Sequence, residues 1–316
     1  MFNLILDVYH MDLNILQLLF LFLTVSIVVV GSLINSLEKH LPKALIQSFR
    51  YGKFALDLRH STFVAYLEVP KRYFQHFYIF SSFLSTVAFY LCFKTYVLGC
   101  EVNTHIISFL DILGGSNRRA TTSATSVFLC VFLVTLQCYR RLYETSCVSV
   151  FSNSRMNISH YIVGHLHYFG TITSILLEAP GFTRPSFQYR TLLDVTDVTV
   201  YVVSVTALFL WAWHQQYHSA RILSDLRKVQ GRVVTYEHLL PQGGLFNFVS
   251  SPHLFCEAVI YFSLYLILYN NNTFAYVFYW VLSNQFEVSL LNHWWYQSKF
   301  SDKYPMSRKA FIPYLL

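Results

Sequence analysis

The segment from Trp213 to Glu257 reads WHQQYHSARILSDLRKVQGRVVTYEHLLPQGGLFNFVSSPHLFCE. It is the one long polar, His- and Arg-bearing stretch between hydrophobic runs in the C-terminal half. A chain this apolar places such a stretch where it meets something polar and charged. The chain has 316 residues, of which 54% are hydrophobic, 18% aromatic and only 12% charged, with mean hydropathy +0.42. A soluble protein of this length needs more charge to cover its surface, so the composition predicts a polytopic membrane protein. Crossing about 30 Å of hydrocarbon takes about 20 apolar residues, and several runs reach that length.

Working outward from the polar stretch, the predicted spans are residues 13–34, 74–97, 122–139, 158–177, 195–213, 254–269 and 274–296. The fold class expected is all-α, a single integral membrane domain (1–316) of about seven transmembrane helices. No Lys or Arg precedes the first span, so it lacks the basic flank of a cleaved signal and is expected to stay as a helix. The short HIISFLDIL run after the second span is expected in the interface. About 18 of the 23 Lys and Arg fall in the loops after spans one, three and five and in the tail. That bias predicts a lumenal or external N-terminus and a cytosolic C-terminus, with the opening stretch cytosolic.

The six cysteines are scattered and form no CxxC pair, which argues against a disulfide framework or a zinc site. His214 and His218 have a metal-compatible i, i+4 spacing, but no adjacent histidine pair exists and no metal is expected. The net charge of +7 is read as loop charge rather than as a nucleic-acid surface. Two sequons, at Asn157 and Asn271, are expected to stay unmodified.

Ionisable side chains inside spans are costly and become site candidates by default. Here they are Glu257, Glu287, His293 and the histidines 160, 165 and 167. Glu257 lies one turn beyond His253 and opens off the cytosolic stretch. No Rossmann fingerprint and no P-loop occur. A nucleotide would therefore use Arg221, Arg227, Lys228 and Arg232 for phosphates and the turn at Gly243 for close backbone approach. Tyr236, Phe246 and Phe248 are available for stacking. An ordinary basic loop against anionic headgroups accounts for the same residues.

LSDLRK, LLPQGGLFNFVSSPHLFCE, NHWWYQSKFSDKYP and the RKAFIP ending together resemble the C-terminal region of the steroid 5α-reductase family. RYGK with VPKRYFQHFYI, and RRLYETSCVSVFSN, look like its polyprenol reductase branch. The resemblance implies a seven-helix enzyme of the endoplasmic reticulum membrane that reduces a carbon–carbon double bond with NADPH and needs neither metal nor flavin. It implies a substrate side in residues 13–156 and an NADPH side in 157–316. Carried over, the cofactor residues are Arg141, Gln216, Arg227, His253, Glu257, His293 and Tyr296, while Ala220 departs from a usually polar position. On the substrate side, Glu68 stands where the family has a carboxylate before Leu-Pro. The family's tyrosine position is Cys138, with Tyr139 one residue on, and Tyr73 and His76 are alternative proton donors.

These departures favour a polyprenyl lipid over a steroid. Hydride addition to a conjugated aldehyde leaves its charge on oxygen, whereas an allylic alcohol offers no such oxyanion. The expected substrate is therefore polyprenal. The competing classes are a steroid reductase, an isoprenylcysteine-type methyltransferase and a non-catalytic lipid-binding protein.

Overall fold

The computed structural model describes residues 13–42, 45–46, 49, 67–152, 154–184 and 193–316. The RYGK motif lies outside them. The long helices are α1 (Ile15–Leu37), α2 (Phe74–Tyr96), α4 (Ala124–Tyr143), α5 (Ile158–Leu177), α6 (Val200–Asp225), α7 (Pro252–Ile267) and α8 (Asn272–Lys299). A short helix, α3 (Thr104–Gly114), covers the HIISFLDIL run. Every predicted span falls on one of the long helices. Three of these segments, Ile15–His40, Lys71–Tyr96 and Ala124–Val148, are long and apolar enough to cross a membrane by themselves.

Six of the eight helices start where a short polar side chain replaces a missing backbone partner. Asn14, Asn103, Ser123, Asn157, Thr199 and Asn271 each accept from a backbone N–H of the first turn of the helix that follows. Pro252 occupies the first turn of α7, where no backbone donor is needed. Both sequon asparagines are thus helix caps. Asn271 is fully buried, and its amide also donates to the Ser174 carbonyl at 3.0 Å.

Hydrogen bonds sort the connections into two ends. At one end Glu178 accepts from Thr121 Oγ1 (2.8 Å), Asn272 N (3.1 Å), Thr273 N (2.9 Å) and Thr273 Oγ1 (2.8 Å). Asn14 Nδ2 donates to the same Thr273 hydroxyl. A carboxylate at the N-terminus of α8 is favoured by the helix dipole as well as by its partners. Nearby, Arg118 bonds Asp111 and caps α5 by donating to the Leu177 carbonyl, and Arg184 takes the other Asp111 oxygen.

At the opposite end, β1 (Glu68–Pro70) pairs antiparallel with β2 (Arg155–Asn157). Lys228 reaches the Val148 carbonyl and Arg227 the Val150 carbonyl. The loop at Val249–Ser250 joins the tail at Lys309 through a parallel bridge. Successive long helices therefore alternate in direction. The outward faces carry exposed Leu18, Phe22, Phe83, Tyr90, Val203 and Leu210, the arrangement expected of a bundle whose solvent is hydrocarbon.

Two boundaries differ from the expectation. The fifth span was drawn to end at Trp213, but α6 runs on to Asp225, because Gln, Ala, Arg and Leu sustain a helix after the apolar run stops. His214, Gln216, His218 and Arg221 are consequently helical rather than in a loop. Residues 195–197 form a separate 3₁₀ turn capped by Asp194. After α6 the polar stretch makes a small hairpin, β3 (Lys228–Val229) with β4 (Arg232–Val233), and a 3₁₀ turn at Gly244–Asn247 before α7 begins.

The intramembrane Glu287 has a structural explanation. Ser32 Oγ (3.0 Å) and Asn35 Nδ2 (2.7 Å) both donate to its carboxylate. Position 31 must be glycine because a Cβ there would lie 2.8–2.9 Å from the same side chain. This contact locks α1 against α8.

Replacing Glu178 by Ala removes the buried acceptor for two side chains and two backbone donors. The expected cost is about 2–4 kcal/mol, from unsatisfied buried donors and a lost helix-end charge. Thermal unfolding in detergent should show a fall of several degrees, and an unchanged midpoint would refute the role assigned to this staple.

Candidate functional site

The last turns of α4 carry Gln137, Arg140 and Arg141, followed by a turn of π-helix, Glu144–Val148. At i, i+3 and i, i+4 spacing these side chains share one face, and the face points inward. Glu144 is completely buried and pairs with both arginines, at 3.2 Å to Arg140 Nε and in a short contact with Arg141. Two cations and one carboxylate in an apolar bundle need further polar partners. Arg140 finds them in the carbonyl of Trp213, the Gln216 amide oxygen and the Gln137 amide oxygen, and its guanidinium packs 5.0 Å from the Trp213 ring.

Glu257 closes the network from α7. Its Oε2 accepts from Gln137 Nε2 at 3.1 Å and from Gln216 Nε2, which also donates to the His253 carbonyl at 3.0 Å. Gln137 Nε2 in turn donates to Gln216 Oε1 at 3.0 Å. On the other flank, Arg141 donates through Nε (3.3 Å) and Nη2 (3.0 Å) to the hydroxyl of Tyr78 on α2. One polar cluster thus links α2, α4, α6 and α7 in the middle of the bundle.

A second group lies nearer the β1–β2 end. Arg227 donates to the carbonyls of Glu237 and Val150 and contacts His238. His293, on α8, shares its Nδ1 with Ser250 Oγ (2.8 Å) and Tyr304 Oη (3.0 Å), and its Nε2 lies 2.9 Å from Gln297. Tyr296 is buried, and Arg227 and Arg308 are its cationic neighbours. Arg308 is 2% exposed, yet its Nε and Nη1 have no hydrogen-bond partner. Among the described residues Arg118, Arg140, Arg141 and Arg184 pair with carboxylates, whereas Arg227 and Arg308 do not. Burial pushes both of these guanidinium groups below their ordinary pKa. A buried guanidinium with unused donors, as at Arg308, is what an anionic ligand would satisfy.

The structure therefore brings Arg141, Gln216 and Glu257 into one network, to which His253 contributes its backbone carbonyl. It sets Arg227, His293 and Tyr296 at the neighbouring basic end. Gly243, at φ +88° with open space around its α-carbon, accepts no side chain easily and donates its N–H to Asn247. Arg221 and Arg232 are exposed, and Phe246 is fully buried in the core rather than free to stack.

Glu68, Tyr73, His76 and Tyr139 lie apart from the cluster. Glu68 sits in β1 at the bundle end. His76 stacks on Tyr73 at 4.4 Å and meets Tyr161 Oη at 3.2 Å, on the face of α2 opposite Tyr78. Tyr139 is half exposed and bonds Thr86 on the outer side of α2. Cys138 is fully buried. The span-four histidines are absorbed locally, His165 by the Tyr161 carbonyl and His167 by Tyr261 Oη at 2.8 Å.

Sequence reading missed Gln137, Arg140, Glu144, Tyr78 and Arg308. The signal for three of these was present in QCYRRLYE, where a carboxylate follows two arginines at helical spacing. Tyr78 carries no such mark in the sequence. Exchanging Glu144 for Gln leaves two buried guanidinium groups short of charge and should cost about 3–5 kcal/mol. The double variant with Arg140→Met should lose less than the sum of the single changes, as read from unfolding midpoints. Strict additivity would show that the pair does not interact.

Comparison with known proteins fits this arrangement. The family profile described as 3-oxo-5-alpha-steroid 4-dehydrogenase matches residues 183–316, which include α6, α7, α8 and the basic end. The chain is 43% identical over 308 residues to a polyprenal reductase of Drosophila melanogaster, covering 96% of this chain and 94% of that one. It is 34% identical over 272 residues to a polyprenal reductase of Caenorhabditis elegans (84% and 85% covered). To that of Homo sapiens it is 31% identical over 316 residues (97% of each). These likenesses set aside the methyltransferase and lipid-carrier alternatives. The chain is a multi-pass membrane oxidoreductase acting on C=C bonds, and it belongs to the steroid 5α-reductase family, in its polyprenal reductase branch.

Proposed function

We propose that this protein reduces the α-isoprene double bond of polyprenal with NADPH, on the route to dolichol for protein glycosylation. The observation that carries this reading is the pairing of two environments. A polar cluster lies inside an apolar bundle, and beside it lie the buried Arg308 and the half-buried Arg227, which pair with no carboxylate among the described residues. A long isoprenoid dissolves only in the bilayer, so its tail belongs among the helices. A charged dinucleotide belongs at the basic end.

Arg227 and Arg308 would hold phosphate charge, and His293 and Tyr296 would line the same face. Gln216 and Glu257 would meet the more deeply placed part of the cofactor. When bound, NADPH supplies the hydride. The protein's own work is to neutralise charge with Arg140 and Arg141, to fix Glu257 through two amides, and to exclude water at the lumenal end through the Glu178 staple. The aldehyde is the favoured substrate because only a conjugated carbonyl places the developing charge on an oxygen that donors can reach.

The chain crosses the membrane seven times as one domain, with the N-terminus lumenal and the basic end cytosolic, in the endoplasmic reticulum. The distribution of Lys and Arg supports that orientation. Residues 13–156 serve the substrate and 157–316 the cofactor, with Arg141 shared between them.

The direct test offers polyprenal, polyprenol and a 3-keto-Δ4 steroid to the purified protein in micelles with NADPH. Oxidation of NADPH with polyprenal alone is expected, and turnover of the alcohol without aldehyde formation would sink the reading. Arg308→Ala should raise the Kd for NADPH about tenfold to a hundredfold, the worth of a charge-assisted hydrogen bond. The KM for polyprenal should stay near that of the unaltered protein.

A further inference from the structure

The reductase reading calls for a hydrogen-bond donor at the substrate's carbonyl oxygen. Tyr78 is 9% exposed and faces the interior of the bundle from α2. Its oxygen accepts two hydrogen bonds from Arg141, which leaves its own hydrogen to give. Tyr168, on α5, is 5% exposed, and its ring meets the Tyr78 ring at 5.6 Å in a T-shaped contact. Among the described residues, no acceptor takes the hydrogen of either hydroxyl. Glu257 is an electrostatic neighbour of Tyr168 and Tyr261, which places this pair beside the Gln216–Glu257 network.

A phenol buried without an acceptor is costly unless a ligand completes it. An arginine donating to the phenol oxygen also makes that phenol a stronger donor. We infer that Tyr78, braced by Arg141 and accompanied by Tyr168, is the donor that binds the carbonyl oxygen of the substrate. This rests on the enal-reductase reading above.

The balance of the reaction fits. Hydride from NADPH forms the bond at the β-carbon, the π electrons of C=C move onto the carbonyl oxygen, and NADP⁺ is left. Tyr78 holds that oxyanion by a hydrogen bond without surrendering its proton. A proton from water then completes the α-carbon and restores the aldehyde. Tyr73, His76 and Tyr139 take no part in this step.

The test combines spectroscopy with kinetics on the full chain in micelles. Without cofactor, the carbonyl stretch of bound farnesal should fall below its value in detergent alone, and Tyr78→Phe should return it toward that value. With NADPH and polyprenal, Tyr78→Phe should lower kcat about 10²- to 10³-fold, the usual effect of removing one oxyanion donor, with KM little changed. Tyr168→Phe should show a smaller loss in both readouts. Tyr90→Phe, on the exposed face of the same helix, should match the unaltered protein. An unshifted carbonyl band in the unaltered protein, or a full shift and full kcat in Tyr78→Phe, overturns the assignment while leaving the reductase reading intact. Failure of the unaltered protein to reduce polyprenal would overturn both.

Discussion

Glu144 sets the terms on which the interior of this bundle is arranged. A carboxylate with no exposed surface is tolerable only because two guanidinium groups meet it, and two guanidinium groups are tolerable there only because of the carboxylate. Their remaining donors must then be satisfied by other helices. That requirement draws the Trp213 carbonyl and Gln216 from α6 and Tyr78 from α2 around the end of α4, and the amides of Gln137 and Gln216 in turn hold Glu257 of α7. The position of the polar cluster thus follows from the need to pair charge where water is scarce.

At the other end of the molecule the same economy is met differently. Among the described residues Glu178 forms no ion pair. It is held by hydroxyls and by the backbone donors at the start of α8, whose dipole favours a negative charge. This closes one end of the bundle with a rigid polar knot. The opposite end is built from a basic hairpin, a 3₁₀ turn and the C-terminal tail, and there the buried Arg308 keeps unused donors. The asymmetry between an end knotted around Glu178 and a basic end gives the bundle its direction.

Much of the helical layout was legible because crossing a membrane imposes a length and composition that residues announce directly. The alternation of basic loops agrees with the way hydrogen bonds group the connections. The extent of α6 was not legible, because its last three turns are polar and hydropathy alone cannot tell a polar helix from a loop. Of the candidate site, Glu257 is marked by the sequence as an ionisable group within a span, whereas Arg141 and Gln216 are reached through resemblance. Tyr78 is reached by neither route, because what singles it out is the approach of Arg141 from another helix. Tyr139 illustrates the converse. It is adjacent in sequence to the site residues, but one step along a helix turns a side chain by about 100°, and here that step leads outward.

The parallel bridge between Val249 and Lys309 has a consequence for biosynthesis. Arg308 reaches its buried position only because the tail pairs with the loop ahead of α7. The basic end is therefore completed only after α8 has been inserted. A chain ended by a stop codon just before Arg308 would carry α1 to α8 and still lack the element that completes this end. For this architecture, insertion of the helices and completion of the basic end are separate events, and residues beyond α8 decide the second.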